Sequence, residues 1–425
     1  RGLGDVYKRQ VLKLAVFCWE FPPRIVGGLG SYISEIAPRI VARGNDVSLF
    51  TFNDGKLKTH EMYKGVEVHR PTIVDIEDIF PSVVREDITR WGSGIHFFAN
   101  VMTSNILCAT KLINQLVKLD GREFDLIVAH DWLSFIGGII SKRELKLPLV
   151  THFHSTEKGR SLGNGSKTIV ELEMMGGRVA DRIVTVSNAM LDDLANLEIS
   201  REKVRVVYNG VDPKKYDPRT VSDDAKQYIR RRYDIKDDEQ MILFVGRLVP
   251  VKGVDKLIYA MKHVKEKYPK AKLVLVGTSE NEAYYSSLIS NLCLNDCVKA
   301  RFEFIDEEER ILHYAACDMA VFPSLYEPFG IVALEAMSME KPVVVGARGV
   351  SGLREIVVPS GPNQCGVHIN PYDPSDIAWG INVLLEDLER SRQFGRNGRR
   401  RVLERFTWDH AVDETIKVYS EIVGG

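Results

Sequence analysis

No apolar run in this 425-residue chain approaches the ~18–20 residues needed to cross a bilayer; the stretch 135–140 is short and holds two glycines. Charge of one sign is also missing. Lys plus Arg number 57 against 58 for Asp plus Glu, a formal net charge of −1, so no global field attracts nucleic acid or anionic lipid. Cysteine is sparse, with six residues (Cys18, Cys108, Cys293, Cys297, Cys317, Cys365) scattered along the chain. That excludes a disulfide scaffold and points to reduced thiols in a cytoplasmic setting. Only Cys293 and Cys297 lie close together, and no second ligand pair follows at zinc-finger spacing, so they read as buried helical thiols. The first ten residues carry neither an initiator Met nor a signal-peptide pattern; they read as a truncation junction and are set aside.

What is present is an ordinary globular composition, 44% hydrophobic and 27% charged, in a chain longer than one core organises. Two domains of roughly 200 residues are expected. Val11 to Phe17 reads as a buried strand, followed by a Gly-rich loop and a helix over 31–43 with apolar residues at helical spacing. Val47 to Phe52 is a second strand; 124–129, 147–150 and 182–186 are further strands between helical segments. This alternation implies a parallel, doubly wound sheet. The pattern breaks between Asp212 and Gln240, where two prolines, Arg230-Arg231-Arg232 and Asp237-Asp238-Glu239 read as a linker. It restarts with strands at 241–245, 271–276, 319–322 and 342–345 and a helix at 254–267. The expected division is an N-terminal Rossmann-like domain over 11–212, a C-terminal one over 213–406, and a terminal helix over 407–425 that packs on either. Arg392, Arg396, Arg399, Arg400 and Arg401 read as a solvated helix face and not as a nucleic-acid site.

Chemistry concentrates in the loops after strands. Gly27-Gly28 precedes the first helix, where backbone amides can meet an anion, though a tight turn explains the pair equally well. It is not a dinucleotide fingerprint, because the Gly-x-Gly-x-x-Gly spacing is missing. In the second half, Gly246-Arg247-Leu248-Val249-Pro250-Val251-Lys252-Gly253 has no Ser or Thr after its Lys, so Walker geometry and an ATPase are disfavoured. Arg247 and Lys252 remain as two cations suited to a diphosphate. Ser324-Leu325-Tyr326-Glu327-Pro328-Phe329-Gly330-Ile331 carries Glu327 on a surface turn and leads into a helix holding Glu335. The amides of Phe329, Gly330 and Ile331 head that helix and can receive an anion. His130-Asp131-Trp132 and His152-Phe153-His154 each follow a strand of the first half.

Glu327-x7-Glu335 in its Glu-Pro-Phe-Gly context, with Gly27-Gly28 and Arg247/Lys252, resembles the retaining glycosyltransferases built from two Rossmann-like domains. The closest look is to the glycogen and starch synthase branch, carbohydrate-active families four and five. The resemblance runs from Val11 to Val423; His130-Asp131-Trp132 leans towards glucan synthases, and Asn209-Gly210-Val211-Asp212 matches the segment where their first domain ends. It implies a GT-B fold, two doubly wound α/β domains facing a central cleft and closing over the donor. It further implies transfer of glucose from ADP- or UDP-glucose to the non-reducing end of an α-glucan. By the same resemblance Gly27, Gly28, Arg247, Lys252, Phe329, Gly330 and Ile331 hold the diphosphate. Glu327 bonds the transferred sugar and Glu335 the ribose, while His154 lies by the anomeric carbon and Asp131 by the acceptor.

Two departures stand out: Arg24 occupies the place of a Lys common in glucan synthases, and 155–160 looks as much like sucrose-forming relatives. No Asp-x-Asp occurs in the chain, so no catalytic metal and no other cofactor is expected. Front-face displacement with retention is the implied route. The rivals are a group-1 transferase acting on a lipid or small-molecule acceptor, a sucrose-synthase-like relative, an epimerase, a glucan phosphorylase and an inactive nucleotide-sugar-binding module. A membrane-docking acceptor surface would fall in 79–98, with Phe80, Trp91, Phe97 and Phe98.

Overall fold

The computed structural model describes residues 11–25, 27–73, 86–89 and 94–424. Buried aliphatic runs such as Leu-Ile-Val-Ala (126–129) and Leu-Val-Leu-Val (273–276) form strands covered on both faces, as parallel sheets require. The chain divides into two compact units. One comprises the chain to Val186, Leu191–Val207 and Ala411 onward; the other comprises Ser187–Met190 and Tyr208–His410.

Unit 1 contains β1 (Lys13–Phe17), β2 (Asp46–Phe50), β3 (His60–Tyr63), β4 (Val66–His69), β5 (Leu126–His130), β6 (Leu149–Phe153), β7 (Arg182–Thr185) and β8 (Val204–Val206). Among the described residues they form one sheet in the order β3-β4-β2-β1-β5-β6-β7-β8, parallel except for the β3–β4 hairpin. Unit 2 contains β9 (Gln240–Val245), β10 (Ala271–Val276), β11 (Val298–Arg301), β12 (Met319–Phe322), β13 (Val343–Gly346) and β14 (Gly366–Ile369). Their order is β11-β10-β9-β12-β13-β14, and every neighbouring pair is parallel. In each sheet the winding reverses once, between β1 and β5 and between β9 and β12. Ligands of open α/β sheets bind at the carboxyl ends of strands flanking such a reversal. The loops after β1, β5, β9 and β12 hold Gly27, Asp131, Arg247 with Lys252, and Glu327.

Several expectations change, and the place of the terminal helix is resolved. The stretch read as a linker holds a helix, Asp223–Arg232, and belongs to unit 2. Ser222 caps it, Asp223 and Asp224 occupy its first turn and the three arginines its last, so charges that suggested a solvated tether complement the helix dipole. Ile229 is fully buried, and the Arg230 guanidinium donates to the carbonyls of Lys236 (2.8 Å) and Glu239 (2.5 Å). The boundary by contacts falls at Val207, ahead of Asp212. From Ala411 the last helix, Trp408–Val423, belongs to unit 1, where Tyr419 Oη lies 2.8 Å from His152 Nε2.

The arginine cluster is only partly solvated. Arg392 and Arg396 pair with Glu389 on the surface, but Arg399 reaches Asp217 (3.1 Å) and Arg401 donates to the carbonyls of Ile356 (2.6 Å) and Glu355 (2.8 Å). Cys293 and Cys297 are not helical: Cys293 is exposed at φ 57° just past the helix Glu282–Asn291, and Cys297 is buried ahead of β11. Phe80 and Trp91 lie outside the described residues; Phe98 packs on Trp132 in the core of unit 1, and Phe97 is half-exposed against Trp19 and Trp132.

The β9 loop turns into its helix through Gly253, at φ 68°, where an added Cβ would stand 2.1 Å from the Pro323 carbonyl oxygen. Positive φ and a backbone clash together demand glycine there. Gly253→Ala should cost unit 2 roughly 2–4 kcal/mol in urea denaturation, with the Arg247/Lys252 loop displaced. A loss under ~0.5 kcal/mol would show that the two loops are not held together at this point.

Candidate active site

In unit 2 the Glu327 side chain is buried, correcting the surface-turn expectation. Its Oε2 accepts from Lys252 Nζ at 2.6 Å and from Ser324 Oγ at 3.0 Å. The turn itself is pinned, because Glu327 N–H donates to the Val350 carbonyl and Gly352 N–H to that of Glu327. Leu325 N–H donates to Val251 O at 2.8 Å, tying the β12 loop to the β9 loop. The two residues that the sequence placed in separate roles therefore form one ion pair. Lys252 Nζ has three donors, so two remain for another acceptor. Arg247 is exposed on the same loop.

Gly330, at φ 107°, ends the turn and opens the helix Ile331–Ser338. A Cβ there would meet Leu353 Cδ2 at 2.4 Å. The amides of Phe329, Gly330 and Ile331 thus lie at a helix N-terminus, where no preceding turn supplies intrahelical acceptors.

Glu335, one turn further in, is buried and held by residues that the sequence reading missed. Tyr216 Oη donates at 2.9 Å, Tyr314 Oη at 3.0 Å, and Arg310 Nε stands 3.2 Å away. Burial and the Glu335 charge both raise the two phenol pKa values, keeping them donors. Burial opposes the Arg310 charge, but Glu335 overcomes it and raises that pKa. Tyr216 and Arg310 lie 119 and 25 positions from Glu335, the former in the stretch read as linker, so no local pattern announces the cluster.

In unit 1, β5 and β6 run side by side with His130 opposite His152. Asp131 takes φ 56°, an uncommon conformation for a non-glycine residue, as it turns into the helix Trp132–Leu145. Its Oδ1 accepts from the His154 amide at 2.8 Å. His154 Nε2 lies 3.1 Å from His130 Nδ1, one ring donating to the other, and Tyr32 packs edge-on against His154 at 4.6 Å. Burial lowers all three imidazole pKa values, further lowered in His130 and His152 by neighbouring histidines and opposed in His154 by Asp131, so the cluster is neutral at neutral pH. The structure brings Asp131 and His154 together.

Two more groups beside them were not foreseen. Glu173, 1% exposed, accepts from the Glu157 amide at 2.8 Å, and burial pushes its carboxyl up to about 8 against the pull of Arg160, 3.6 Å away. Arg160 also pairs with Glu157 at 3.1 Å. Gly27 and Gly28 have no heavy atom within 4 Å of a built Cβ, and neither has positive φ, so neither is required by the fold. Gly30 is: its Cβ would meet Glu20 Oε2 at 2.6 Å. Glu20 Oε2 also accepts from the Gly27 amide at 3.1 Å. Arg24 spreads over Phe52 (4.5 Å) and Trp19 (5.2 Å), a packing role that a Lys fills less well.

His130 and His152 generate a pH prediction. Their folded pKa values lie below the unfolded ~6.5, so their contribution is present above ~6.5 and is lost as pH falls. Each takes stability away at up to ~1.4 kcal/mol per pH unit in that range. Glu173 works in the opposite direction, losing stability as pH rises from ~4.5 towards 8, and offsets about one of them. Urea denaturation at pH 7.5 and 5.5 should show a net loss at the lower pH, with a smaller slope in His152→Gln; an unchanged slope would place these imidazoles in water.

The glutamate network gives a second. Glu335→Ala leaves Arg310 facing two phenols and should cost about 3 kcal/mol, whereas Glu335→Gln keeps both phenol bonds and should cost less than half of that. Melting and urea curves of both variants decide it.

Comparison with known proteins shows the family and the fold. The family described as Glycosyl transferases group 1 matches residues 225–401, and that described as Glycosyltransferase Family 4 matches 26–215. An uncharacterised glycosyltransferase of Methanocaldococcus jannaschii is 33% identical over 412 residues, covering 96% of this chain and 98% of its own. Glycogen synthase of Mycobacterium tuberculosis is 27% identical over 421 residues, covering 96% and 94%. Among solved structures, HepE of Anabaena in complex with UDP-glucose superposes with a TM-score of 0.72 at 21% identity, covering 96% and 100%, a likeness of fold. No helix among the described residues is long and apolar enough to cross a membrane. The chain belongs to the group-1 glycosyltransferases of the two-Rossmann, family-four/family-five type.

Proposed function

We propose that this glycosyltransferase moves glucose from ADP- or UDP-glucose to the non-reducing end of an α-glucan, with retention and without a catalytic metal. The observation that carries the donor half is the buried Lys252–Glu327 pair at the head of the helix Ile331–Ser338. It sets a fixed carboxylate beside an ammonium with spare donors and a row of helix-terminal amides. A sugar diphosphate needs that combination: hydroxyls donate to the carboxylate while phosphate oxygens accept from cations and amides.

In this reading Glu327 bonds the transferred glucose, and Arg247 and Lys252 neutralise the diphosphate. The amides of Phe329, Gly330 and Ile331 add to that anion site. Charge on the leaving phosphate grows in the transition state, so preorganised donors act there in place of a metal. Glu335 reaches the nucleotide ribose at the edge of its tyrosine–arginine network. In unit 1, Gly27 and Gly28 carry no side chain to bar a phosphate, which would take the Gly27 amide over from Glu20; the neutral His154 serves as hydrogen-bond partner near the anomeric carbon, and Asp131 holds its backbone while facing the acceptor. The relatedness to a glycogen synthase supports the glucan acceptor. The absence of a membrane-crossing helix among the described residues is compatible with a cytoplasmic polymer as substrate.

Radiolabelled ADP-glucose and UDP-glucose offered against glycogen, maltooligosaccharides and lipid extract test it directly. Label should enter glycogen and maltooligosaccharides, persist with EDTA and be released by an α-glucosidase. Label in the lipid fraction alone would overturn the acceptor, and EDTA-sensitive transfer the metal-free chemistry.

Glu327→Gln keeps the shape and one acceptor while removing the charge. It should lower kcat ~10²–10³-fold with a change in KM below ~10-fold. Because Glu327 is buried and Lys252 loses its counter-ion, a stability loss of about 1–2 kcal/mol should accompany it. Transfer near the parent rate in a folded variant would remove Glu327 from the reaction.

A further inference from the structure

The β3–β4 hairpin at the edge of the first sheet carries ligand chemistry that the proposed transfer does not use. His60 stands directly opposite His69, and Glu67 precedes His69 by two residues on the same strand. Alternation along strands puts all three on one face. Glu67 Oε1 lies 3.2 Å from His60 Nε2 and 3.4 Å from His69 Nε2, and one ligand atom from each residue fits within 4.8 Å of the others. Four-coordinate Zn²⁺ with bonds of ~2.0–2.1 Å spaces its ligand atoms about 3.4 Å apart. The face opens to solvent, since the His60 side chain is 53% exposed and Met62, paired with Glu67, is 63% exposed.

The second observation is His69 itself. Its side chain is 2% exposed, stacked between Phe50 (5.0 Å) and His60 (4.9 Å), yet neither ring nitrogen makes an aligned hydrogen bond. Nε2 has only the Glu67 oxygen at 3.4 Å and Nδ1 has no hydrogen-bond partner among the described residues, and buried imidazole nitrogens so poorly paired are costly unless something binds them. The Glu67 carboxylate is held by Arg122 and Ser48. Arg122 Nη1 and Nη2 meet the two carboxylate oxygens at 2.9 and 2.7 Å, and Ser48 Oγ donates to Oε2 at 2.8 Å, so the carboxylate is aimed as outer-shell partners aim metal-bound ones. The charges of Arg122 and of nearby Lys111 oppose a cation and limit its affinity.

We propose that His60, Glu67 and His69 bind one Zn²⁺ ion, with water in the fourth position, as a metal site separate from the glycosyl-transfer residues. Two imidazoles, one carboxylate and an exposed fourth position match the donor set of an open tetrahedral site.

The test uses the full chain without an affinity tag, titrated with Co²⁺ for its visible d–d absorption and with Zn²⁺ in competition. The expected result is one ion per chain with a Zn²⁺ Kd of about 1–10 μM, a weak site beside closed structural ones. His60→Ala should weaken binding at least ~100-fold and Glu67→Gln at least ~10-fold, while His154→Ala leaves it unchanged. His60 is exposed, so His60→Ala keeps its fold by circular dichroism and decides the matter alone if Glu67→Gln does not fold. Binding by His60→Ala within about threefold of the parent, loss of the signal in His154→Ala, or a parent Kd above ~100 μM each overturns the proposal.

Discussion

A single ion pair organises the second half of this molecule. Lys252 and Glu327 sit on loops that leave adjacent strands β9 and β12, at the place where the winding of the sheet reverses. An ammonium and a carboxylate 2.6 Å apart in a mostly buried setting are retained only if desolvation is repaid by close contact and further bonds. Ser324 supplies one of those bonds, and the backbone ties Leu325–Val251, Glu327–Val350 and Gly352–Glu327 hold the two loops in register. Gly253 and Gly330 are needed because the chains approach too closely for any Cβ. What looks like a list of motif residues is therefore one constraint with several supports. Lys252 is held in place by Glu327, and the Glu327 turn is held by the backbone ties between the loops.

Unit 1 solves the opposite problem. Three imidazoles packed within one cluster cannot all be charged, and burial settles the matter by keeping them neutral. Asp131 contributes through the backbone, accepting from the His154 amide, and its own strained φ is the cost of placing that acceptor at the strand end. Glu173, pushed towards neutrality, and Arg160, held in its ionised form by three carboxylates, lie on the other side of the same segment. Unit 2 concentrates charge at its sheet edge, whereas unit 1 suppresses it around His154.

The α/β alternation was legible because parallel strands buried on both faces read as continuous apolar runs and the helices between them carry helical spacing: the strands 271–276 and 319–322 and the helix 254–267 were bounded to the residue. The β3–β4 hairpin was not, since each strand has only four residues and β3, His-Glu-Met-Tyr, carries no apolar alternation, although β4, Val-Glu-Val-His, does. The helix Asp223–Arg232 was hidden by its own charges, which sequence alone reads as solvation and the dipole reads as capping. Motif residues were legible as positions but not as partners. Glu327 and Lys252 are 75 residues apart, and nothing local says that they bond; the same holds for Glu335 and Tyr216.

These long-range bonds also bear on how the two glutamates of the Glu-x7-Glu motif divide their work. Both are buried, so burial does not distinguish them. Their partners do. Glu327 is held by one flexible ammonium, with two donors left for an incoming group, and by one hydroxyl whose single donor it already takes. Glu335 is held by two phenols and a guanidinium whose positions are set by the helices and loops that carry them. A carboxylate with adaptable partners can strengthen its contacts as charge shifts during a reaction, while one in a rigid cage is better suited to constant binding. The spacing of the motif thus sets two carboxylates on one short helix and its leading turn, and the surrounding fold gives Glu327 an ammonium with donors to spare and Glu335 two phenols and a guanidinium.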